Sequence, residues 1–343
     1  MQQLENAEQA EIAQKRDKVE EKSICAGMPF CAGLGGVNAW LAADTDEAST
    51  QIAGWFATFE HNPDTTPSSG VFVRLDDGPQ PHLTLIHEGE VIDPFRMFEG
   101  PEWKRFEMID NANRRLLIDT TLGREPALEV RKDELIVMRR DHWPLYLHLA
   151  HGWLLMQSRR LVGLHTAVAA VNGRALLLVG ASGAGKSTLS LALMEKGADC
   201  FGDEWAFFRL SDHSLWPWPR PLHLRPGGID ALGYTPEISE WYETRPGDPK
   251  AAIALPEPSR PCPHDKAVFV FLDGFADTPA FSEIGGAEAA RRLLQGILFA
   301  DPGAFERLSV AADLVSAYPC TVLKSGTPAE TARQLIAFAG ALP

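Results

Sequence analysis

Between Leu164 and Gly197 the chain changes pattern twice in a way that few folds accommodate. An apolar, β-prone run from Leu164 to Val171 meets Asn172-Gly173, and Arg174-Ala175-Leu176-Leu177-Leu178-Val179 returns from it. Asn-Gly is the strongest short signal for a two-residue hairpin turn, because both residues can take positive φ. A glycine-rich octapeptide follows, Gly180-Ala181-Ser182-Gly183-Ala184-Gly185-Lys186-Ser187. The stretch from Ser187 to Lys196 then reads as a helix that stops at Gly197. Strand, glycine loop and helix in that order imply an α/β fold.

The octapeptide has the form G-x-x-x-x-G-K-[ST], which carries meaning only in this strand-to-helix context. Glycines there let successive N–H groups turn inward around a β-phosphate. The helix N-terminus adds the positive end of its dipole. Lys186 is expected to reach the β- and γ-phosphates, and the Ser187 hydroxyl to ligate Mg²⁺. The expected ligands are therefore ATP and Mg²⁺. Their contacts would come from Gly180, Ser182, Gly183, Ala184, Gly185, Lys186, Ser187 and Thr188.

The hairpin also makes an expectation about a histidine. If Val171 pairs with Arg174, the same register continued places His165 opposite Gly180, about 5 Å away. A histidine there can donate to phosphate or orient an acid. It can equally be a buried, hydrogen-bonded core residue, and spacing does not choose between them.

Phosphoryl transfer needs a carboxylate near the metal and often one that receives the nucleophile's proton. Two candidates follow the loop. Asp203-Glu204 comes a short distance after the loop helix, led by Gly202 and followed by Trp205-Ala206-Phe207-Phe208. Asp273 ends the longer apolar run Val268-Phe269-Val270-Phe271-Leu272 and looks like the metal-side strand of an ordinary P-loop ATPase.

Taken together, His165, the loop at 180–187 and Asp203-Glu204 resemble the HPr kinase/phosphatase superfamily in order and spacing. The resemblance covers roughly residues 145–343. It implies a P-loop kinase domain of the HPr-kinase/phosphoenolpyruvate-carboxykinase type. It further implies that His165 assists catalysis, that Asp203 is the base toward an acceptor serine, and that the acidic pair approaches the metal through Asp203 and Ser187. The segment Pro219-Arg220-Pro221-Leu222-His223-Leu224-Arg225-Pro226-Gly227 is similar to one in HPr-kinase-related kinases, including those that modify peptide natural products; Arg225 would face the transferred phosphate. Glu204 stands where HPr kinases have Asp, and their glycine-arginine loop is not recognisable. The expected activity is ATP-dependent, Mg²⁺-dependent transfer of the γ-phosphoryl group to a hydroxyl, serine by resemblance, of a protein or peptide.

The alternative is a P-loop ATPase, or a nucleotide sensor without a phosphoacceptor. A transporter ATPase would carry an L-S-G-G-Q signature before the Asp273 strand. The nearest match, Ser282-Glu283-Ile284-Gly285-Gly286, comes after it.

The 343 residues suit two domains. Residues 1–22 read as a charged tail. Residues 23–140 read as a smaller N-terminal α+β domain, with strand-like runs at 71–75, 82–86, 116–120 and 134–138 and turns at 76–78 and 88–90. Residues 141–343 read as the P-loop kinase domain, entered by a helix from Asp141 to Arg160. His148 and His151 share a face of that helix, but no third metal ligand accompanies them. A net charge of −14 argues against a nucleic acid partner. The five cysteines are odd in number and form no Cys-x-x-Cys pair, which suits reduced thiols in a cytoplasmic protein. The most apolar helical stretch, Leu145 to Met156, is too short to span a bilayer, so neither export nor a membrane anchor is expected. A homo-oligomer is compatible with all of this.

Overall fold

The structure is a computed structural model. It describes residues 30–43, 45–57, 59–60, 69–74, 82–87, 90–91, 95–99, 104–109, 115–120, 128–129, 137–138, 143–243, 249–298 and 304–342. The expected tail at 1–22 and the turns at 76–78 and 88–89 lie outside these residues. The chain divides into two compact units, one formed by 1–33 and 38–154, the other by 34–37 and 155–343. The division falls within a helix, later than the boundary at residue 141 expected from the sequence. Both units mix helices with sheets.

In the first unit, β1 (Phe30–Leu34), β2 (Val37–Ala43), β3 (Gly70–Arg74), β4 (His82–His87) and β5 (Glu90–Val91) form one sheet in that order. The helix α1 (Asp46–Trp55) joins β2 to β3 as a crossover, because β2 and β3 are parallel. Thr45 caps α1 by accepting from the Ala48 N–H. Three further antiparallel strands, β6 (Phe95–Glu99), β7 (Lys104–Ile109) and β8 (Arg115–Thr120), make a second sheet. The short β9 (Leu128–Glu129) and β10 (Val137–Met138) pair with each other. The helix α2 (Trp143–Gln157) follows. Its His148 ring stacks on Phe56 at 4.5 Å, while His151 sits edge-on to Phe56 and Phe59 and bonds through Nε2 to the Ala32 carbonyl oxygen at 3.2 Å. Both histidines are thus packed among aromatic rings. Among the described residues no group of three His, Cys, Asp or Glu could hold a metal ion.

The second unit is built on two sheets. Its larger sheet has the order β14 (Asp199–Gly202), β12 (Ala167–Val171), β13 (Arg174–Val179), β20 (Ala267–Phe275), β23 (Cys320–Ser325) and β21 (Ala280–Ser282). β13, β20 and β23 run parallel at its centre. Their sequences are continuous apolar runs because both faces are covered. Leu176, Leu178, Val268 and Val270 pack on one side with α3 (Lys186–Met194) and α7 (Pro328–Ala341). Leu177, Val179, Phe269 and Phe271 pack on the other, with α5 (Gly286–Leu294), α6 (Ala304–Ala317) and the smaller sheet. That sheet has the order β16 (Leu215–Pro217), β15 (Trp205–Arg209), β11 (Leu161–His165) and β22 (Ile297–Leu298). A third, three-stranded sheet is made by β17 (Leu222–Leu224), β19 (Pro249–Ile253) and β18 (Glu240–Glu243), with the short α4 (Pro226–Asp230) after β17.

The Asn172-Gly173 turn forms as expected, with φ of 53° and 73° and Val171 opposite Arg174. The same register runs as far as Ala167 opposite Leu178 and then ends. His165 does not pair with Gly180, which corrects the sequence expectation. The apolar run that read as one strand is two: it breaks at Thr166, and β11 joins the smaller sheet with His165 opposite Trp205. Hydrogen bonding supplies the reason. The Thr166 hydroxyl donates to the Leu178 carbonyl and its N–H to the Glu204 carbonyl, so the chain leaves one ladder and enters the other at this residue.

No helix among the described residues is long and apolar enough to cross a membrane. Cys31, Cys200, Cys262 and Cys320 are free thiols; Cys25 lies outside the described residues.

Candidate functional site

The glycine loop joins β13 to α3. Gly183 and Gly185 both have positive φ, 84° and 94°, and Gly185 caps the helix that begins at Lys186. Gly180 is required for a different reason. A Cβ there would lie 2.9 Å from Ala184 Cβ and 3.3 Å from Leu272 Cβ, so the loop folds back against its own strand neighbours only because that atom is missing. Lys186 is buried, and its Nζ donates to the Gly180 carbonyl at 2.7 Å and the Ala181 carbonyl at 3.3 Å. Burial lowers its pKa, against the opposing pull of Glu204 and Asp203.

Two chain crossings bring the acids and the histidine beside the loop. β11 and β12 are separated by Thr166, and β14 and β15 by Asp203-Glu204. In the larger sheet Val168 is opposite Gly202; in the smaller one His165 is opposite Trp205. Both chains therefore switch sheets side by side, tied by the Thr166-to-Glu204 backbone bond. The switch lies at the end of β12 that faces Leu178, two residues before Gly180. Gly202 makes the turn possible. Its φ is 140°, and a Cβ would sit 2.6 Å from the Trp218 carbonyl oxygen.

Asp203 is 4% exposed. Its Oδ2 accepts from the His223 N–H at 2.9 Å, while Oδ1 has no hydrogen bond among the described residues. Burial pushes its pKa up to about 6; Arg220 and hydrogen bonding by the Ser187 hydroxyl pull the other way. Glu204 is its opposite. Partial burial works against its charged form, but Arg220, His165, Lys250 and Lys186 together outweigh that and hold it below the usual carboxylate range. His165 Nε2 lies 3.8 Å from Glu204 Oε1. Burial and the Lys186 charge lower the His165 pKa, with Glu204 and Asp203 opposing. Two neighbouring carboxyls with pKa values pushed apart are the usual mark of separate proton and charge roles.

The structure gathers His165, Lys186, Ser187, Asp203 and Glu204 near one another. Arg225 is exposed at the N-cap of α4. Between the two acids stands Arg220, with Nε 3.8 Å from Asp203 Oδ1 and Nη1 3.4 Å from Glu204 Oε2. Its side chain is 8% exposed. Pro219 and Pro221 flank it, and the preceding Trp218 stacks on Trp205 at 4.5 Å. In the sequence, an arginine set between two prolines is the local signal for it. Lys250, delivered by β19, also acts on both acids, and nothing in its local sequence marks it.

Asp273 stands at the other candidate position. Its strand is parallel to β13 with Val179 opposite Phe271, which sets Asp273 level with the start of the loop. The carboxylate is half exposed and pairs with Arg292 at 3.4 Å. Compared with known proteins, the chain matches no family model and no curated protein.

Proposed function

We propose that this chain is an ATP-dependent, Mg²⁺-dependent kinase of the HPr-kinase-like type, transferring the γ-phosphoryl group to a hydroxyl, most simply serine, of a protein or peptide. One observation carries the reading. A buried carboxylate, Asp203, with a pKa pushed up to about 6 and one oxygen without a hydrogen bond, stands at the Ser187 end of a phosphate-binding loop.

The chemistry follows from the arrangement. N–H groups of the glycine loop and the Lys186 ammonium bind and orient the phosphates. Asp203 receives the proton of the attacking hydroxyl. Its raised pKa brings it nearer the working pH, where a general base is most effective. The new P–O bond forms as the bond from the γ-phosphorus to the bridging oxygen breaks, and the nucleoside diphosphate leaves. Arg220 and His165, beside the acids, would stabilise charge on the transferred group. For the metal, Ser187 and the Asp203-Glu204 pair fit Mg²⁺, because the Asp203 oxygen lacks a hydrogen bond and Mg²⁺ keeps several waters besides one or two carboxylates. When bound, the ion would neutralise charge on the β- and γ-phosphate oxygens.

A simple P-loop ATPase is the second reading, favoured by Asp273 lying level with the loop. The two separate in one experiment. ATP turnover is followed with candidate peptides and cell extract, with mass spectrometry for a phosphate adduct. Asp203→Asn keeps size and hydrogen bonding but cannot take the proton, so turnover should fall by about 10²–10⁴, and Asp273→Asn should leave it nearly intact. A loss confined to Asp273→Asn would overturn the kinase reading.

A further inference from the structure

The second unit holds a cavity of about 460 Å³ beside the glycine loop. Its floor is Thr188 and Leu189 of α3. One wall is Gly227 and Gly228 of α4 with Ala231 just after it. The other is Phe275 together with the turn from Ser325 to Pro328. Three features define what it can hold. It shares Gly183, Ala184 and Gly185 with the loop, so a ligand can occupy both. None of its lining residues is charged, and the Thr331 hydroxyl is engaged within the protein, accepting from the Gly326 N–H and donating to the Thr327 carbonyl. Phe275 is 69% exposed, the most exposed large apolar side chain among the described residues.

That exposure is built in. β20 breaks register with β23 between Leu272 and Phe275, and Gly274 takes a φ of 83°. The irregularity returns Phe275 to the ladder opposite Ser325 and brings its ring edge to 3.9 Å from where a Cβ on Gly185 would be. On the opposite side the backbone closes in as well. A Cβ on Gly228 would meet the Thr188 hydroxyl at 2.6 Å. The result is a neutral slot in the volume range of small-ligand sites, lined by an exposed aromatic ring and by the glycine loop.

We propose that this slot is a nucleoside subsite, with the base stacked on Phe275. The phosphoryl donor is then a nucleoside triphosphate and not pyrophosphate or another bare polyphosphate. The inference rests on the phosphate-loop reading above, but adds the place that would hold the nucleoside and a specificity-determining residue. A flat, uncharged ring system gains from an aromatic face whatever its hydrogen-bonding edge.

The test is calorimetric titration of the full chain with Mg-ATP and with Mg-tripolyphosphate, using wild type, Phe275→Ala and Phe275→Trp. Base stacking lost on alanine substitution corresponds to about tenfold or more in affinity. Phe275→Ala should therefore weaken ATP binding by about that factor and leave tripolyphosphate unchanged, and Phe275→Trp should restore ATP binding. Because Phe275 is largely exposed, its replacement does not open a cavity in the core. ATP affinity unchanged in Phe275→Ala, or an equal loss for both ligands, would overturn the subsite. Wild type binding both ligands equally would do the same while leaving the phosphate loop standing. Wild type binding neither would sink the subsite and the phosphate-loop reading together.

Discussion

Lys186 is the one cation in the segment 180–187, and it is buried against the loop's own carbonyls. A buried ammonium so placed exchanges those carbonyls for phosphate oxygens when an anion arrives, since charge-assisted bonds to phosphate are the stronger. Hydrogen bonds to charged groups are worth about 1.5–3 kcal/mol, so Lys186→Ala should weaken Mg-ATP binding by about 10- to 100-fold. Calorimetry checks this, and unchanged affinity would remove the phosphate-loop assignment. Arg220 shows how a residue's role depends on what surrounds it. Without its guanidinium, Asp203 and Glu204 would face each other as like charges in a mostly buried pocket, where such repulsion is screened weakly.

At the scale of elements, the paired strand breaks at Thr166 and at Asp203-Glu204 make the site. An uninterrupted β11–β12 strand would carry His165 along the larger sheet. The breaks instead send β11 and β15 into the smaller sheet and leave the intervening side chains at the seam. Gly202 is the residue most exposed to substitution there. A side chain at φ 140° is strained, and its Cβ would strike the Trp218 carbonyl. Such a conformation costs about 1–3 kcal/mol for a residue other than glycine. Gly202→Ala should lower the unfolding free energy by at least that amount and reduce turnover, because Asp203 follows directly. Denaturant melts of the two proteins measure the first effect; an unchanged midpoint would show that the seam tolerates a Cβ. In the first unit, His151 makes a different prediction. Burial lowers its pKa to about 4 from the ordinary 6.5. The folded state therefore keeps it neutral while the unfolded chain takes up a proton below pH 6.5. Stability is unaffected above that pH, falls as the pH drops from 6.5 to 4, and levels off below. The loss amounts to as much as about 3 kcal/mol. His151→Gln, which cannot be protonated, should flatten that part of the stability-against-pH curve. An identical slope in both proteins would rule His151 out as its source.

For the whole molecule, the glycine loop, the acids and the cavity beside the loop belong to one of the two units. A ligand that binds only the folded state stabilises it by about 2.7 kcal/mol at a hundredfold excess over Kd. Hydrogen exchange with and without Mg-ATP at that excess should slow the most protected amides of β13 and α3 by about a hundredfold. Those of β1 and β2 up to Gly33 and from Asn38 should change far less. Protection arising instead in the first unit would place the nucleotide elsewhere. The net charge of −14 makes the local chemistry more telling. Under the proposed function, Lys186, Arg220, Lys250 and the loop N–H groups would have to outweigh the surrounding field to draw in an anion.

Local pattern alone was enough for the hairpin turn, the phosphate-type loop, the helix after it and the central buried strands. Each is dictated by neighbours within a few residues: positive φ at Asn172-Gly173, a missing Cβ at Gly180, continuous apolar runs in β13 and β20. The acidic pair and the histidine were legible as chemistry but not as geometry. His165 extended by register falls opposite Gly180, yet it lies opposite Trp205, because the Thr166 hydroxyl and N–H bond to two different partners, Leu178 and Glu204. The contact of Arg220 with both acids, Lys250 near the acids and Phe275 beside the loop were decided by tertiary structure. Each depends on which distant segments meet: Arg220 reaches Asp203 and Glu204 across the fold, β17 pairs with β19, and β20 breaks its register with β23, none of which a local sequence window contains.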